Sequence, residues 1–120
     1  MADIRQKIMN NAAPHLQPGE TALTAFPAQT KPWWWLAMGA VLFIVFNEYR
    51  TIVITDRRIL VFDSGKWSTT KANSLVREVP RSLKIGPASG LWYKTEILGE
   101  PLHIHKRFHK DIAMADGVPA

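Results

Sequence analysis

The chain of 120 residues contains no cysteine. This absence excludes a disulfide framework, a cysteine-ligated zinc site and a thiol nucleophile, and it fits a reducing compartment. The sequence also lacks the nucleophile pattern G-x-S-x-G and the lysine-containing phosphate loop. Its carboxylates are dispersed, with no spacing that indicates a paired acid and base. We therefore predict a non-catalytic protein that uses no cofactor and no metal.

Two kinds of membrane-targeting segment are also missing. The first twenty residues are polar and mixed in charge, so they do not resemble a cleavable signal peptide. The longest uncharged apolar run covers the fourteen residues 33–46. As a helix this run would measure about 21 Å, whereas a transmembrane helix needs about twenty residues. The run would cross a bilayer only if the bilayer became thinner.

Positive charge is present in excess and is unevenly distributed. The net charge is +5, and the charges of residues 1–49 cancel, so the whole excess lies from Arg50 onward. A basic domain beside an apolar run suggests an anionic partner, either a membrane surface or nucleic acid. The alternative is a soluble basic protein with scattered lysines.

The periodicity of apolar residues predicts a mostly β chain with a helix at each end. The strongest signal is "YRTIVITDRRILVFDSG", in which two β-branched runs flank a two-residue turn. A strand over 20–27 is closed by Pro27 and Pro32. Further strands are predicted over residues 74–80, 81–86, 91–98 and 102–107. Helices are predicted over residues 2–13 and from about 106 to 117, the latter with Phe108, Ile112 and Ala115 on one apolar face.

This order of elements favours a small antiparallel barrel or sandwich of about seven strands, capped by the C-terminal helix. We divide the chain into an N-terminal helix and linker (1–18), a β-domain (19–117) and a tail (118–120). The β-domain contains an apolar insert, residues 32–47, between its first two strands.

The hairpin sequence resembles the signature of bacterial pleckstrin-homology-like domains, which are related to the GRAM type. In that family a Thr-Asp/Asn-x-Arg turn joins the second and third strands and a glycine follows the third, as in "TDRRILVFDSG". "QPGE" before the first strand and the terminal helix "HKRFHKDIAMAD" also fit. The resemblance implies a PH-like fold over roughly residues 19–116. It also implies an interaction or assembly role, with a membrane-facing loop between the first two strands. The insert is longer than a plain domain of this family needs.

Three interpretations of the insert remain open. It can lie in the membrane interface, where tryptophan favours the headgroup level. It can instead be a buried core element, as apolar runs of this length often are, or a docking surface hidden in an oligomer. If the flanking strands share one sheet, they lie on one side of any membrane, which argues against a single crossing. The candidate membrane-binding residues are Trp33, Trp34, Trp35, Leu36, Phe43 and Phe46.

Basic residues on turns and strands can add electrostatic attraction, and each is worth about 1 kcal/mol near an anionic leaflet. They would form a site only if they cluster on the same side of the domain as the insert. The candidates for binding an anionic partner are Arg57, Arg58, Lys66, Lys84 and Lys94.

Two other possibilities are less well supported. His103, His105 and His109 would suit a metal site if the last strand and helix brought them together, but the neighbouring cations oppose it. Trp67, Trp92 and Tyr93 could stack on nucleic acid, but alternation places Tyr93 inward and RNP-like patterns are missing.

We therefore predict a non-catalytic, PH-like binding or scaffolding module at the cytoplasmic face of a bacterial-type membrane, peripheral or shallowly inserted. The alternatives are a soluble, self-associating protein-interaction adaptor whose apolar run is buried, and a basic nucleic-acid-binding β-domain.

Overall fold

The computed structural model describes residues 4–31, 39–40, 47–65, 70–81, 85–86, 92–96, 98, 100 and 102–117. In these ranges six strands form one antiparallel sheet, and a helix lies near each end of the chain. Short 3-10 turns, Ala13–His15 and Lys106–Phe108, follow the first helix and precede the second. The elements are α1 Ile4–Ala12, β1 Ala22–Gln29, β2 Tyr49–Thr55, β3 Arg58–Gly65, β4 Ser74–Pro80, β5 Trp92–Thr95, β6 Leu102–His105 and α2 His109–Gly117.

The strand order across the sheet is β4-β3-β2-β1-β6-β5. The predicted mostly β class and both terminal helices are confirmed. A closed barrel or sandwich of about seven strands is not confirmed, because within the described ranges β4 and β5 are the edges of a single open sheet. Of the strand predicted over 81–86, Arg81, Ile85 and Gly86 are not in a strand, and residues 82–84 lie outside the described residues.

The β2–β3 hairpin has the predicted two-residue turn, Asp56 and Arg57. Thr55 stabilises it, because its Oγ1 accepts hydrogen bonds from the backbone N–H groups of Arg57 at 3.1 Å and Arg58 at 3.0 Å. These hydrogen bonds to the Thr55 side chain stabilise a turn that lacks the Asn-Gly sequence common in two-residue hairpins.

The first strand continues past Pro27, so the prediction that this proline closes it is wrong. Pro27 is paired with Thr51 of β2, and the register extends to Gln29 opposite Tyr49. On the other side, within the described ranges, β1 is paired with β6 only at Gln29. A proline fits a strand where no neighbouring strand needs its missing N–H, and the short β1–β6 ladder provides such a position.

The sheet buries apolar side chains on both faces, in the alternation that the sequence predicts for β2. On one face Ile52 and Ile54 belong to the core that α2 covers, which we call the α2-side core. On the other face Val53 packs beneath α1. The predicted apolar face of the terminal helix is confirmed, since Phe108, Ile112 and Ala115 are buried in the α2-side core. The side chains that are fully enclosed in the two cores include Ile8, Phe26, Ile52, Ile54, Ile59, Leu60, Phe62, Leu102 and Ile104.

An ion pair connects the two helices. Arg5 of α1 donates from Nε and Nη2 to the two carboxylate oxygens of Asp111 in α2, both at 2.8 Å. Asp111 is buried, and Thr24 Oγ1 of β1 donates to it at 2.8 Å. The guanidinium of Arg5 also lies 5.5 Å from the ring centre of Phe108. These contacts fix α1 and α2 relative to the same strand.

Candidate functional site at the base of the apolar insert

The two ends of the insert leave the sheet side by side. Thr30 N–H donates to the carbonyl of Glu48 at 3.0 Å, and Glu48 N–H donates back to Thr30 Oγ1 at 2.9 Å. Lys31 N–H donates to Oδ1 of the buried Asn47 at 3.1 Å. We call these four residues, Thr30, Lys31, Asn47 and Glu48, the insert base. Because β1 and β2 are antiparallel neighbours, the chain enters and leaves the insert on the same side.

Two residues inside the insert are described. Gly39 has φ +136°, which is not a helical value, so no continuous helix runs through this position. A Cβ placed on Gly39 would meet no atom within 4 Å, and Ala40 is exposed. The middle of the insert therefore faces open space at these two residues. Over the ranges that the structure covers, no helix is long and apolar enough to cross a bilayer.

On the α2 side of the sheet, the insert base borders a cluster of mixed charges. Arg50 donates to Glu48 at 3.0 Å, to Glu100 at 3.2 Å and to Asp63 at 3.4 Å, and Arg77 also binds Glu100. Burial disfavours the Arg50 charge, but Glu100 and Glu48 outweigh that effect and raise the pKa of Arg50. With two cations against three carboxylates, this cluster does not attract an anion.

On the opposite side of the sheet, the insert base borders a row of basic side chains. Lys94 of β5 lies directly across from His103 of β6, and His103 lies directly across from Gln29 of β1. Leu102, Ile104 and Tyr93 point to the α2-side core, so His103 and Lys94 project from the other face. Lys31 follows Gln29 by two residues. We call Lys31, Lys94 and His103 the basic row.

The basic row is electrostatically coupled. His103 is buried, and its pKa is lowered, first by burial and then by the positive charges of Lys94 and Lys31. In contrast, the side chain of Lys94 is 58% exposed, and its carboxylate neighbour Glu96 is 3.7 Å away. The row thus places an exposed ammonium and a neutral, titratable imidazole close to the point where the insert begins.

The predicted anion-binding residues do not all lie near the insert. Lys94 does, whereas Arg57 and Arg58 lie at the hairpin turn, at the far end of β2. A seven-residue strand separates that turn from the insert base by about 20 Å. Lys66, Lys84 and the six candidate membrane-binding residues, Trp33, Trp34, Trp35, Leu36, Phe43 and Phe46, lie outside the described residues.

The side chain of Arg58 is held by ion pairs within the fold. Its Nε and Nη2 donate to the two carboxylate oxygens of the buried Glu20, both at 2.9 Å, and Glu78 lies 3.0 Å from its Nη1. Thr55 Oγ1 donates to Glu20 at 2.7 Å, and Gln17 N–H does so at 2.9 Å. The hydrogen bonds from Arg58 are the main reason why the pKa of Glu20 falls to about 2, despite burial. The charge of Arg58 is therefore already paired within the fold.

The three histidines do not converge. His105 Nδ1 accepts the Arg107 N–H at 3.1 Å and its ring lies edge-on to Trp92, on the face that carries His103. His109 lies beside Tyr93, with Nε2 3.3 Å from the Ile104 carbonyl. In the part of the chain that the structure describes, no three histidine or acidic side chains are grouped as metal ligands.

Tyr93 points inward, as the alternation predicts. Its hydroxyl donates to the carbonyl of Ile85 at 2.8 Å, and its ring packs on the α2-side core. Tyr93 is thus not presented for stacking on nucleic acid, and Trp67 lies outside the described residues.

Sequence reasoning did not place Lys31 near His103. Lys31 directly precedes the insert, which was a usable signal. Its proximity to His103 depends on the β1–β6 pairing, which no local pattern shows. Comparisons with protein-family models, curated protein sequences and solved structures gave no match for this chain.

Proposed function

We propose that the protein is a non-catalytic binding module that attaches to an anionic membrane surface through its apolar insert, residues 32–47, with support from the basic row. We place it at the cytoplasmic face of a bacterial-type membrane, peripheral or shallowly inserted, and we keep the PH-like type that the hairpin resembles as part of this proposal. The observation that carries the proposal is the closed insert base, which returns the chain to the side from which it left.

The exposed middle of the insert supports an external position. Ala40 is exposed, Gly39 adjoins open space, and the insert carries no charged side chain from Pro32 to Phe46. An uncharged loop with tryptophans near its start suits the interfacial region of a bilayer. Apolar burial alone gives weak and reversible attachment, so a second, electrostatic contribution is required for a stable anchor.

The basic row provides this electrostatic contribution next to the start of the insert. Lys31 belongs to the insert base and Lys94 lies near it. Both are at the level of the headgroups when the insert is embedded, and each is worth about 1 kcal/mol near an anionic leaflet. Arg57 is exposed but lies at the opposite end of β2, about 20 Å away, beyond the Debye length of about 8 Å at physiological salt.

The test is co-sedimentation with vesicles of phosphatidylglycerol and phosphatidylcholine. We expect wild-type protein to bind, and a variant with Trp33, Trp34 and Trp35 all changed to Ser to remain in the supernatant while circular dichroism shows it folded. Lys94→Gln should weaken binding about fivefold at physiological salt. The charge-matched control Arg57→Gln should bind like the wild type. Wild-type protein that stays in the supernatant would contradict the proposal.

A second candidate function is a self-associating adaptor. It is favoured by the edge strand β4, on which Leu75 is 43% exposed and Val76 is 37% exposed. Exposed apolar side chains on an unprotected edge invite pairing with another chain. Light scattering after size exclusion distinguishes the two: a defined oligomer without vesicle binding would favour the adaptor.

A further inference from the structure

We propose that the sheet face carrying Trp92 and His105 binds a single-stranded nucleic acid, with Lys106, Arg107 and Lys110 beside it contacting the phosphates. We call these five residues the lateral strip. The inference goes beyond membrane attachment, because none of the five residues belongs to the insert or to the insert base.

The aromatic pair of the strip lies outside both cores. Trp92 and His105 are directly opposed across β5 and β6, so their side chains share one face. Tyr93 and Ile104, their neighbours along the strands, point into the α2-side core, so Trp92 and His105 point to the opposite face. The buried residues of the described core on that face belong to α1, β1, β2 and β3, with none from β5 or β6. Both aromatic side chains remain partly exposed.

The geometry of this pair suits stacking on bases. The Trp92 and His105 rings contact each other edge to face, with 5.0 Å between their centres. The His105 ring is held in place because its Nδ1 accepts the Arg107 N–H at 3.1 Å. Stacking requires an accessible aromatic surface and no base-specific contact, since every base has a π-face. The absence of an RNP-like pattern therefore does not argue against this mode of binding.

Three exposed cations follow the aromatic pair along the chain. Lys106, Arg107 and Lys110 are exposed, and none of them forms a salt bridge with a described carboxylate. The acidic residue nearest to them in sequence, Asp111, is buried and is already bound by the Arg5 guanidinium. The three charges are thus available to phosphates, whose contacts with lysine and arginine supply most of the affinity in non-specific nucleic-acid binding.

The position of these cations favours nucleic acid over the membrane. His103 is paired with Gln29 beside the insert base, and β6 then runs away from it toward Lys106. Lys106 lies three residues beyond His103 and is therefore about 10 Å farther from the insert base. Because the Debye length is about 8 Å at physiological salt, charges at this distance add little attraction between an embedded insert and its leaflet.

Cations flank the aromatic pair on its other side as well. Lys94 follows Trp92 by two residues on the same face. The acidic residue described at this end is Glu96, which lies beyond Lys94 and is 67% exposed, so solvent weakens its effect. A single strand, in which negative phosphates alternate with flat bases, is complementary to this order of cations and aromatic rings.

The first experiment measures the fluorescence anisotropy of a fluorescein-labelled oligothymidylate of about twelve nucleotides, within the range of known single-strand sites. We expect saturable binding by the wild-type protein. Three phosphate contacts predict that the logarithm of the association constant falls with the logarithm of the salt concentration, with a slope of about −2. Removing two of these contacts, by Arg107→Gln with Lys110→Gln, should reduce the slope to about −0.7.

The charge-matched control combines Lys7→Gln with Arg57→Gln, since both side chains are exposed. Lys7 shares a flank of α1 with Asn11. The Asn11 side chain donates to the carbonyl of Thr70 in the connection after β3, so this flank faces away from β6. We expect the control to keep the wild-type slope.

The contribution of stacking is measured with an abasic oligomer, which has the same phosphates and no bases. It should bind the wild-type protein at least fivefold more weakly, as expected for the loss of one stacked base. Trp92→Ala should lower the affinity for oligothymidylate by the same factor and leave that for the abasic oligomer unchanged, whereas Trp92→Phe should retain most of the binding. The comparison of the two oligomers uses wild-type protein, so it does not depend on a variant that folds.

Equal affinity for the two oligomers, or no binding of either by the wild type, would overturn the inference. It would also be overturned if Arg107→Gln with Lys110→Gln lost binding to phosphatidylglycerol vesicles while oligothymidylate did not bind, because the strip would then face the membrane. The variant with Trp33, Trp34 and Trp35 changed to Ser should bind oligothymidylate like the wild type. Failure of the proposed membrane attachment is therefore distinguishable from failure of this inference.

Discussion

Replacing Glu20 with Gln tests the buried ion pair that holds the hairpin turn. The substitution keeps the shape of the side chain and removes the charge that binds Arg58. Because the pKa of Glu20 falls from 4.5 to about 2 on folding, the ionised carboxylate contributes about 3 kcal/mol to stability. Removing one partner of a buried pair costs about 3–5 kcal/mol, and Glu78 still contacts Arg58, so we expect a loss near 3 kcal/mol.

The assay is urea unfolding at neutral pH and again at acid pH. The folded-state pKa of Glu20 lies below its unfolded value, so its contribution is complete above about pH 5 and is lost as the pH falls toward 2. The difference in stability between the wild type and Glu20→Gln should therefore be largest at neutral pH and shrink on acidification.

Glu78→Gln is the matched control, because it removes the other carboxylate that contacts Arg58. The side chain of Glu78 is 52% exposed, so we expect a cost below about 1 kcal/mol. A Glu20→Gln variant within about 1 kcal/mol of the wild type, or an effect that does not depend on pH between 5 and 2.5, would refute the reasoning.

Three further substitutions examine the fold. Asp111→Asn weakens the contact with Arg5 and should cost about 1–3 kcal/mol, and hydrogen exchange should show α1 losing more protection than the sheet. Tyr93→Phe removes the hydrogen bond to Ile85 and should cost about 1 kcal/mol in a urea titration; an unchanged midpoint would contradict the inward hydroxyl. Ile112→Asp places an unpaired charge in the α2-side core and should unfold the domain, so a normal melting curve would contradict the placement of α2.

The β2–β3 hairpin and the terminal helix could be predicted from sequence because their signals are local. Alternating β-branched residues such as Ile52 and Ile54 fix the buried face of a strand, and the spacing of Phe108 and Ile112 fixes that of a helix. Pro27 misled the prediction because its effect depends on the neighbouring strand, which the sequence does not show.

The paired and unpaired charges could not be distinguished from sequence. Arg57 and Arg58 are adjacent in the chain, yet one is exposed and the other is bound by Glu20. That pairing spans 38 positions and depends on the sheet register. The basic row was missed for the same reason, because Lys94 and His103 meet only through the β5–β6 ladder.

The most direct test of the account is whether the middle of the insert enters a lipid surface. The chain has no cysteine, so a single one can carry an environment-sensitive fluorophore at Ala40→Cys, with Arg57→Cys as the control at the far end of the sheet. The account predicts that anionic vesicles shift the emission at position 40 to the blue and leave that at position 57 unchanged. Emission at position 40 that does not respond to vesicles would contradict it.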